Sequence, residues 1–528
     1  MIIKHSVLSR VFALGMSLSV AVAPAHGLPG NPSDDAPVPA SAQDWFRQGQ
    51  KQVQANKFIN SLPNLRQAKN VILFVGDGMG VSTVTAARIL EGQQRGVDGE
   101  FNRLSFERFP YLALSVTASA NQQTSDSAPT ATAMVAGIKT NDGAISVDQT
   151  INRLEASDTV TAQKSVKTIL EHAEQRGLST GVVSTARITH ATPAVNYAHI
   201  GNRDWEDNSS LPAGATVKDI ARQLVEFPYG DGVDVVLGGG RSYFMPNSAF
   251  DPEYVTQKGR RTDGRDLTAE WVTKYQQSAY VWNKAQLDAI DPNSTRHLLG
   301  LFERSHMKYE ADRANDTAGE PSLADMTRKA IQILKKNRKG FYMMVEAGRI
   351  DHAHHAGNAH RALTDTIALS EAVKVAQEMT GDDTLIVVTA DHSHVFTIGG
   401  YPERGNPILG KSAVGGVLQK DALQLPYTTL GYGNGPGWTG GFQRRQFTPA
   451  NEGTAPSVYA GGALRPDLTL VDTTDANYLQ EATVPMGSET HAGEDVAIFA
   501  DGPRAYLFRG VQEQNVIYHV MADALGIN

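Results

Sequence analysis

The chain has no cysteine among its 528 residues. That single absence removes disulfides, thiolate metal sites, iron–sulfur clusters and a cysteine nucleophile. Any transition metal must therefore be held by histidine, aspartate and glutamate. Positive charge is not in excess: 48 Lys+Arg stand against 56 Asp+Glu, for a net charge of −8. A nucleic-acid partner would need a basic footprint and is not expected. A small anionic substrate is not excluded, because bound cations reverse the field inside a cleft. Beyond the N-terminal segment there is no apolar run of about 18 residues or more, so no membrane span is expected in the mature chain. The exception is residues 1–25, where Lys4 and Arg10 precede an apolar stretch, Val11 to Val22, and Ala23-Pro24-Ala25 closes it. This reads as a secretory signal, and the mature protein is expected to be periplasmic or secreted.

Apolar residues at 41% and charged residues at 20% allow an ordinary buried core. Residues 26–69 read as a leader and N-terminal segment, rich in Pro, Asp and Ser from Leu28 to Ala42. From Asn70 the chain repeats a strand, a glycine turn and a helix. Asn70–Gly76, Gly181–Thr185, Val233–Gly238, Gly340–Glu346 and Thr384–Asp391 are near-continuous apolar runs, as strands buried on both faces require. A helix is expected from Ser322 to Lys336. Alternation of this kind predicts an α/β fold, a large mostly parallel sheet with helices on both faces. Ligands then bind beyond the carboxyl ends of the strands. Residues 396–485 break the rhythm with Gly, Pro, Thr and Asn and read as an insertion of loops and hairpins before a last strand at Val496. The catalytic unit is taken as residues 70–528, including that insertion.

Asp77, Glu346 and Asp391 each close an apolar run. A buried carboxylate is costly unless paired or bound to a cation, and three of them would converge on one edge of the sheet. Asp351 and His355 are four residues apart, on one face of a helix. His392 follows Asp391, and His491 lies in Glu489-Thr-His-Ala-Gly-Glu494. Imidazole with carboxylate and no thiolate favours zinc, and an oxygen-only set favours magnesium. His354, His360 and His394 are read as supporting or surface residues.

Ser127 heads a helix-length stretch of small residues, with Pro129 in its first turn and Gly137 as a stop. It is either a plain helix cap or a nucleophile at a helix N-terminus, where backbone N–H groups favour an anion. No Gly-x-Ser-x-Gly elbow surrounds it, which disfavours a Ser-His-Asp hydrolase. Arg203, downstream of His190-Ala-Thr192-Pro, has the geometry to clamp two phosphate oxygens.

These motifs together resemble the alkaline phosphatase family. They are Gly-Asp77-Gly-Met-Gly, Asp126-Ser127-Ala, Val-Glu346-Ala-Gly-Arg-Ile-Asp351-His-Ala-His-His355, Thr-Ala-Asp391-His392-Ser-His and Glu-Thr-His491-Ala-Gly-Glu-Asp. The wording is closer to the animal type than to the enteric bacterial type. The resemblance implies two zinc ions and one magnesium. Asp351, His355 and His491 would hold one zinc; Asp77, Asp391 and His392 would hold the other, next to the Ser127 oxygen. Asp77, Thr192 and Glu346 would hold magnesium, with His190 and His352 supporting it. Ser127 would attack phosphorus and Arg203, beside Asp126, would hold the nonbridging oxygens of a phosphomonoester. A calcium site maps to Glu253, the Phe302 carbonyl and Glu303, with Glu320 reached across a two-residue insertion; the alternative is a set of solvated surface carboxylates. The 396–485 insertion resembles the family's crown, which implies a homodimer. Rival readings are a phosphodiesterase or sulfatase of the same metal superfamily, and a periplasmic metal-binding protein without catalysis.

Overall fold

The computed structural model describes residues 38–61, 63–438 and 465–527. The proposed signal segment and residues 439–464 of the insertion lie outside them. An N-terminal helix, Ala42–Ser61, precedes the sheet. The main sheet is built from β1 (Asn70–Gly76), β2 (Tyr111–Val116), β3 (Ser179–Arg187), β4 (Val235–Gly239), β5 (Ser278–Val281), β6 (His297–Leu301), β7 (Phe341–Ala347) and β8 (Thr384–Ala390). Short strands follow, β10 to β14 within the insertion and β9 and β15 flanking it: β9 (Ser393–His394), β10 (Phe396–Ile398), β11 (Ala413–Val414), β12 (Val417–Leu418), β13 (Leu430–Gly435), β14 (Ala482–Pro485) and β15 (His491–Ala492). Then β16 (Val496–Asp501) and β17 (Gly510–Glu513) return to the main sheet.

The ten-stranded order is β17-β2-β16-β8-β1-β7-β3-β4-β6-β5. Only β16 opposes the common direction in this sheet, pairing antiparallel with both β8 and β2. The sheet is thus mostly parallel, as expected, but Val496–Ala500 is not its last strand: β17 adds to the β2 edge. Every residue of β1, β7 and β8 is buried, which explains their unbroken apolar sequences. Side chains of β1 alternate between two cores. Val71, Leu73 and Val75 meet the helices Ser127–Ala136, Ile169–Gln175 and Val516–Leu525. Ile72 and Phe74 meet Val81–Gln94, Leu323–Leu334 and Ala359–Met379 on the other face.

Register decides where the polar residues emerge. Gly76 of β1 pairs with Ala347 of β7 and Ala390 of β8. Asp77 and Asp391 therefore leave the sheet at the same level, and Glu346 sits one step below, opposite Val75. β1 lies between β7 and β8 although the chain visits β2 to β6 in between. This is a switch point of the kind where α/β sheets bind ligands. The insertion forms a three-stranded sheet, β10-β13-β14, and a β11–β12 hairpin. The β9–β15 pair brings His394 opposite His491.

Candidate metal centre and nucleophile

Asp77, Asp391 and His392 are fully buried. His392 Nε2 lies 3.4 Å from Asp77 Oδ1 and 3.3 Å from Asp391 Oδ2. The same nitrogen is 3.2 Å from Ser127 Oγ. Both Asp77 oxygens and Asp391 Oδ2 are buried without a hydrogen-bond partner among the described residues. Burial, then Asp391, Asp351 and Glu346, drives the Asp77 carboxyl well above its usual range in the protein alone. Burial also holds His392 neutral, with its lone pair available. Unpartnered buried oxygens facing a neutral imidazole are what a cation pocket requires, so these residues fit a zinc ion.

A second group adjoins it. Asp351 and His355 lie on one short helix, Arg349–His355. His355 Nε2 and His491 Nε2 are each 3.3 Å from Asp351 Oδ1 and 3.1 Å from one another. Each ring donates its Nδ1–H to a backbone carbonyl, His355 to Glu489 O at 2.6 Å and His491 to Ser125 O at 2.8 Å. That fixes the tautomer and leaves both Nε2 lone pairs aimed at the same point, an arrangement typical of metal ligands. The His392 and His491 rings stack 3.6 Å apart, so the two pockets share a wall. Behind Asp351 sits His394, buried, with Nε2 at 2.9 Å from Asp351 Oδ1 and Nδ1 at 2.5 Å from Glu489 Oε2. The sequence pointed to His394 only as a supporting or surface residue; it is a buried support. His354 is also buried, bonded to Thr83 and Tyr432, with its ring 4.8 Å from that of His394.

The third group is oxygen-only. Glu346 Oε1 and Thr192 Oγ1 are buried without a partner among the described residues, alongside Asp77. Ser184 donates to the other Glu346 oxygen. Burial and Asp391 push Glu346 up to about 7. This hard-oxygen set fits magnesium.

Ser127 begins the helix Ser127–Ala136, which ends at Gly137 with φ +73°, the left-handed stop its sequence suggested. Asp126 occupies the cap position but makes no cap hydrogen bond. Its carboxylate instead takes Arg203 Nη1, 2.6 Å from each oxygen. Asp126, the residue before Ser127, thus orients Arg203 rather than capping the helix. Arg203 Nη2 reaches His190 Nε2 at 2.9 Å.

Elsewhere, Glu253 and Glu303 come together with Asp316, their oxygens within 4.8 Å of one another. Phe302 leads into this cluster from β6. Glu320, reached across the two-residue insertion, is buried beside Glu303 and Asp316, with Oε2 accepting from the Lys308 amide at 2.9 Å and Oε1 without a partner among the described residues. Arg241 and Lys308 lie against Glu253 and Glu303 at 2.8 and 2.7 Å. Two residues at the centre were missed by sequence reasoning. Glu489 was quoted within a motif without a role, and His306, between Glu303 and Glu310, lies outside every motif that drew attention.

Adjacent carboxylate–imidazole pockets at a switch point, with a serine at a helix N-terminus facing one of them, define a metal-dependent hydrolase of the α/β class. Comparison with known proteins narrows this. The sequence model of the family described as alkaline phosphatase matches residues 68–527. An alkaline phosphatase of Gadus morhua is 44% identical over 501 residues, covering 93% of this chain and 98% of its own. The tissue-nonspecific isozyme of Homo sapiens is 43% identical over 500 residues, covering 92% and 90%. Among solved structures, the alkaline phosphatase of Thermus thermophilus aligns with a TM-score of 0.62 at 26% identity, over 88% of this chain and 93% of its own. The chain belongs to the alkaline phosphatase family, and its reaction is the hydrolysis of phosphate monoesters.

Proposed function

We propose that this chain hydrolyses phosphomonoesters through a phosphoserine on Ser127, with two zinc ions and one magnesium. One observation carries the reading: the Ser127 hydroxyl lies 3.2 Å from His392 Nε2, inside the pocket that Asp77 and Asp391 complete. Asp77, Asp391 and His392 would hold one zinc, Asp351, His355 and His491 the other, and Asp77, Thr192 and Glu346 the magnesium. When bound, these cations would supply Lewis acidity for the displacement at phosphorus and would offset the charge of the carboxylates.

The chain's own groups do the rest. Ser127 Oγ forms the new P–O bond as the alcohol leaves. Water then breaks that bond, and inorganic phosphate departs. The N–H groups at the start of the Ser127–Ala136 helix favour the oxyanion as the serine proton is lost. Arg203 offers its fork to the nonbridging oxygens, and Asp126 keeps it in place. Burial raises the Asp126 carboxyl, but Arg203 outweighs it and holds it ionised, below its usual value. Recognition of only the phosphoryl group supports broad specificity for the alcohol.

Acid quenching of the holoenzyme with a labelled aryl phosphate tests this. Label should remain on Ser127, Ser127→Ala should lose both label and turnover, and elemental analysis should give two zinc and one magnesium per chain. Turnover without label on Ser127 would overturn the reading. Calcium at Glu253, the Phe302 carbonyl, Glu303 and Glu320, with Asp316 grouped beside the first two acids, is part of the same proposal, read from the same analysis. So are export through residues 1–25 and a homodimer. The dimer is supported by large apolar side chains exposed on the insertion, among them Tyr401 and Val417. No described helix is long and apolar enough to cross a membrane.

A further inference from the structure

His199 has no part in the mechanism above, yet both of its ring nitrogens are engaged. Nδ1 lies 2.7 Å from the Ser146 carbonyl and Nε2 lies 2.7 Å from Glu171 Oε1. A carbonyl and a carboxylate only accept, so both nitrogens donate and the ring is an imidazolium. Burial opposes that charge, but Glu171 and then Ser146 outweigh it and hold the ring above its usual value. The Glu171 side chain is 1% exposed and that of His199 16%, so water screens the pair little. The other Glu171 oxygen takes the Thr168 N–H at 2.9 Å, at the start of the helix Ile169–Gln175. Gln223, on the helix Ile220–Val225, holds the His199 backbone as well. Its Oε1 accepts the His199 N–H at 2.9 Å, and its Nε2 donates to the His199 carbonyl at 3.1 Å. Ring and backbone are both fixed.

The chain so fixed leads to the phosphate clamp. Ile200 exchanges both backbone hydrogen bonds with Ile145, at 2.9 and 3.0 Å, and the Arg203 N–H meets the Gly143 carbonyl at 2.8 Å. That partner segment is tied in turn to the nucleophile helix, Ser127–Ala136, because the Ser146 N–H donates to Thr132 Oγ1 at 3.0 Å. Ser146 is fully buried with φ +47°, a left-handed conformation that a residue other than glycine keeps only where its surroundings impose it. Its carbonyl is the one His199 holds, and its Oγ donates to the Val195 carbonyl at 2.6 Å. Asp126 fixes the guanidinium of Arg203; these contacts fix the backbone that carries it. We infer that His199, through its ion pair with Glu171 and its bond to Ser146, is a positioning residue that sets the Arg203 backbone in register with the Ser127 helix and acts on the phosphoryl group only through Arg203. The inference rests on the clamp role given to Arg203 in the proposed function.

A double-mutant cycle in the metal-loaded enzyme tests it, read as kcat/KM for an aryl phosphate and as the inhibition constant of inorganic phosphate. His199→Ala should lower kcat/KM about fivefold, chiefly through KM, and weaken inhibition by phosphate to the same degree, a usual coupling within one hydrogen-bond network. In the Arg203→Ala background the same substitution should cost less than about twofold, because the group it acts through is gone. An equal fold-loss in both backgrounds marks a pair that serves only the fold, and overturns the inference. Full activity in His199→Ala overturns it too. If His199→Ala fails to fold, His199→Gln goes through the same cycle. It keeps a donor but cannot reach Ser146 and Glu171 together, so the same pattern with a smaller loss is expected. Should Arg203→Ala leave KM unchanged, the clamp reading falls and takes this inference with it, an outcome read from that variant alone.

Discussion

His394 should control how tightly the Asp351 pocket holds zinc, although it has no place among the ligands. Its ring is buried between two carboxylates, 2.9 Å from Asp351 Oδ1 and 2.5 Å from Glu489 Oε2. Burial alone would lower it, but Glu489 and Asp351 outweigh that and push it up to about 10, so it stands as an imidazolium donating at both nitrogens. The substitution His394→Gln keeps a polar side chain but cannot span both acids. Losing the bond to Asp351 removes one charge-assisted hydrogen bond, worth about 1.5–3 kcal/mol. That corresponds to a zinc affinity about 10- to 100-fold weaker, within the range for outer partners of metal ligands. The assay is zinc per chain after equilibration of the holoenzyme in graded chelator buffers, with aryl phosphate turnover followed in parallel. Turnover should decline at the same chelator level as the zinc. Retention curves that coincide for wild type and His394→Gln would refute the reasoning. A normal thermal transition in the metal-loaded variant guards against simple misfolding.

Gly78 has φ +67°, and a Cβ there would stand 2.3 Å from His394 Nε2. Gly78→Ala should therefore reproduce the zinc loss of His394→Gln and add a lower melting temperature; a variant with wild-type zinc retention would contradict this. Arg203→Ala removes the clamp and strips Asp126 of its partner. KM for an aryl phosphate should rise about tenfold or more, from the loss of charge-assisted bonds to the phosphate, and steady-state kinetics with an unchanged KM would count against the assigned role. Far from the site, Glu174 is buried, with Oε2 unpartnered among the described residues. Burial, then Asp234, pushes its carboxyl up to about 9 from an ordinary 4.5. A raised acid contributes stability fully below its unfolded value, and loses it as pH rises through the folded one. The loss by pH 9 is on the order of 5 kcal/mol. Glu174→Gln should melt a few degrees above wild type near pH 9 and no higher near pH 5; equal shifts at both pH values would sink the assignment.

The parts of the site legible in sequence share one property: local pattern already constrained them. Asp77, Glu346 and Asp391 end strands whose unbroken apolar sequence announces burial on both faces, so their level on the sheet edge follows from strand length. Ser127 was marked by small residues, Pro129 and Gly137. What escaped depends on pairings no local pattern encodes. β17 at the edge and β2 next to it are half-exposed, with Val511 and Leu112 turned outward, and they lack the continuous apolar signature. Glu489 acts twice, through its carboxylate on His394 and its carbonyl on His355, and a carbonyl has no sequence signal. His306 meets Arg187 only because the end of β3 delivers the two to one place across 119 residues. Asp316 joins Glu253 and Glu303 through a loop whose insertion hides its register in the sequence.

The centre is also the least self-sufficient part of the fold. Asp77, Glu346, Asp351 and Asp391 crowd together with almost no solvent. In the protein alone, burial and mutual repulsion hold Asp77, Glu346 and Asp391 above their usual values. Asp351 is the exception: burial works against it, but His355 and the other surrounding imidazoles hold it well below its usual value. A fold selected for stability alone would place apolar residues at the ends of β1, β7 and β8, as it does along their lengths. Without cations these acids are tolerated by taking up protons; bound cations would let all four stay ionised, and their binding energy would then be shared between folding and catalysis. The same crowding that marks the site in the sequence would thus tie the stability of the three central strands to metal, so stripping a metal-loaded enzyme should lower its melting temperature.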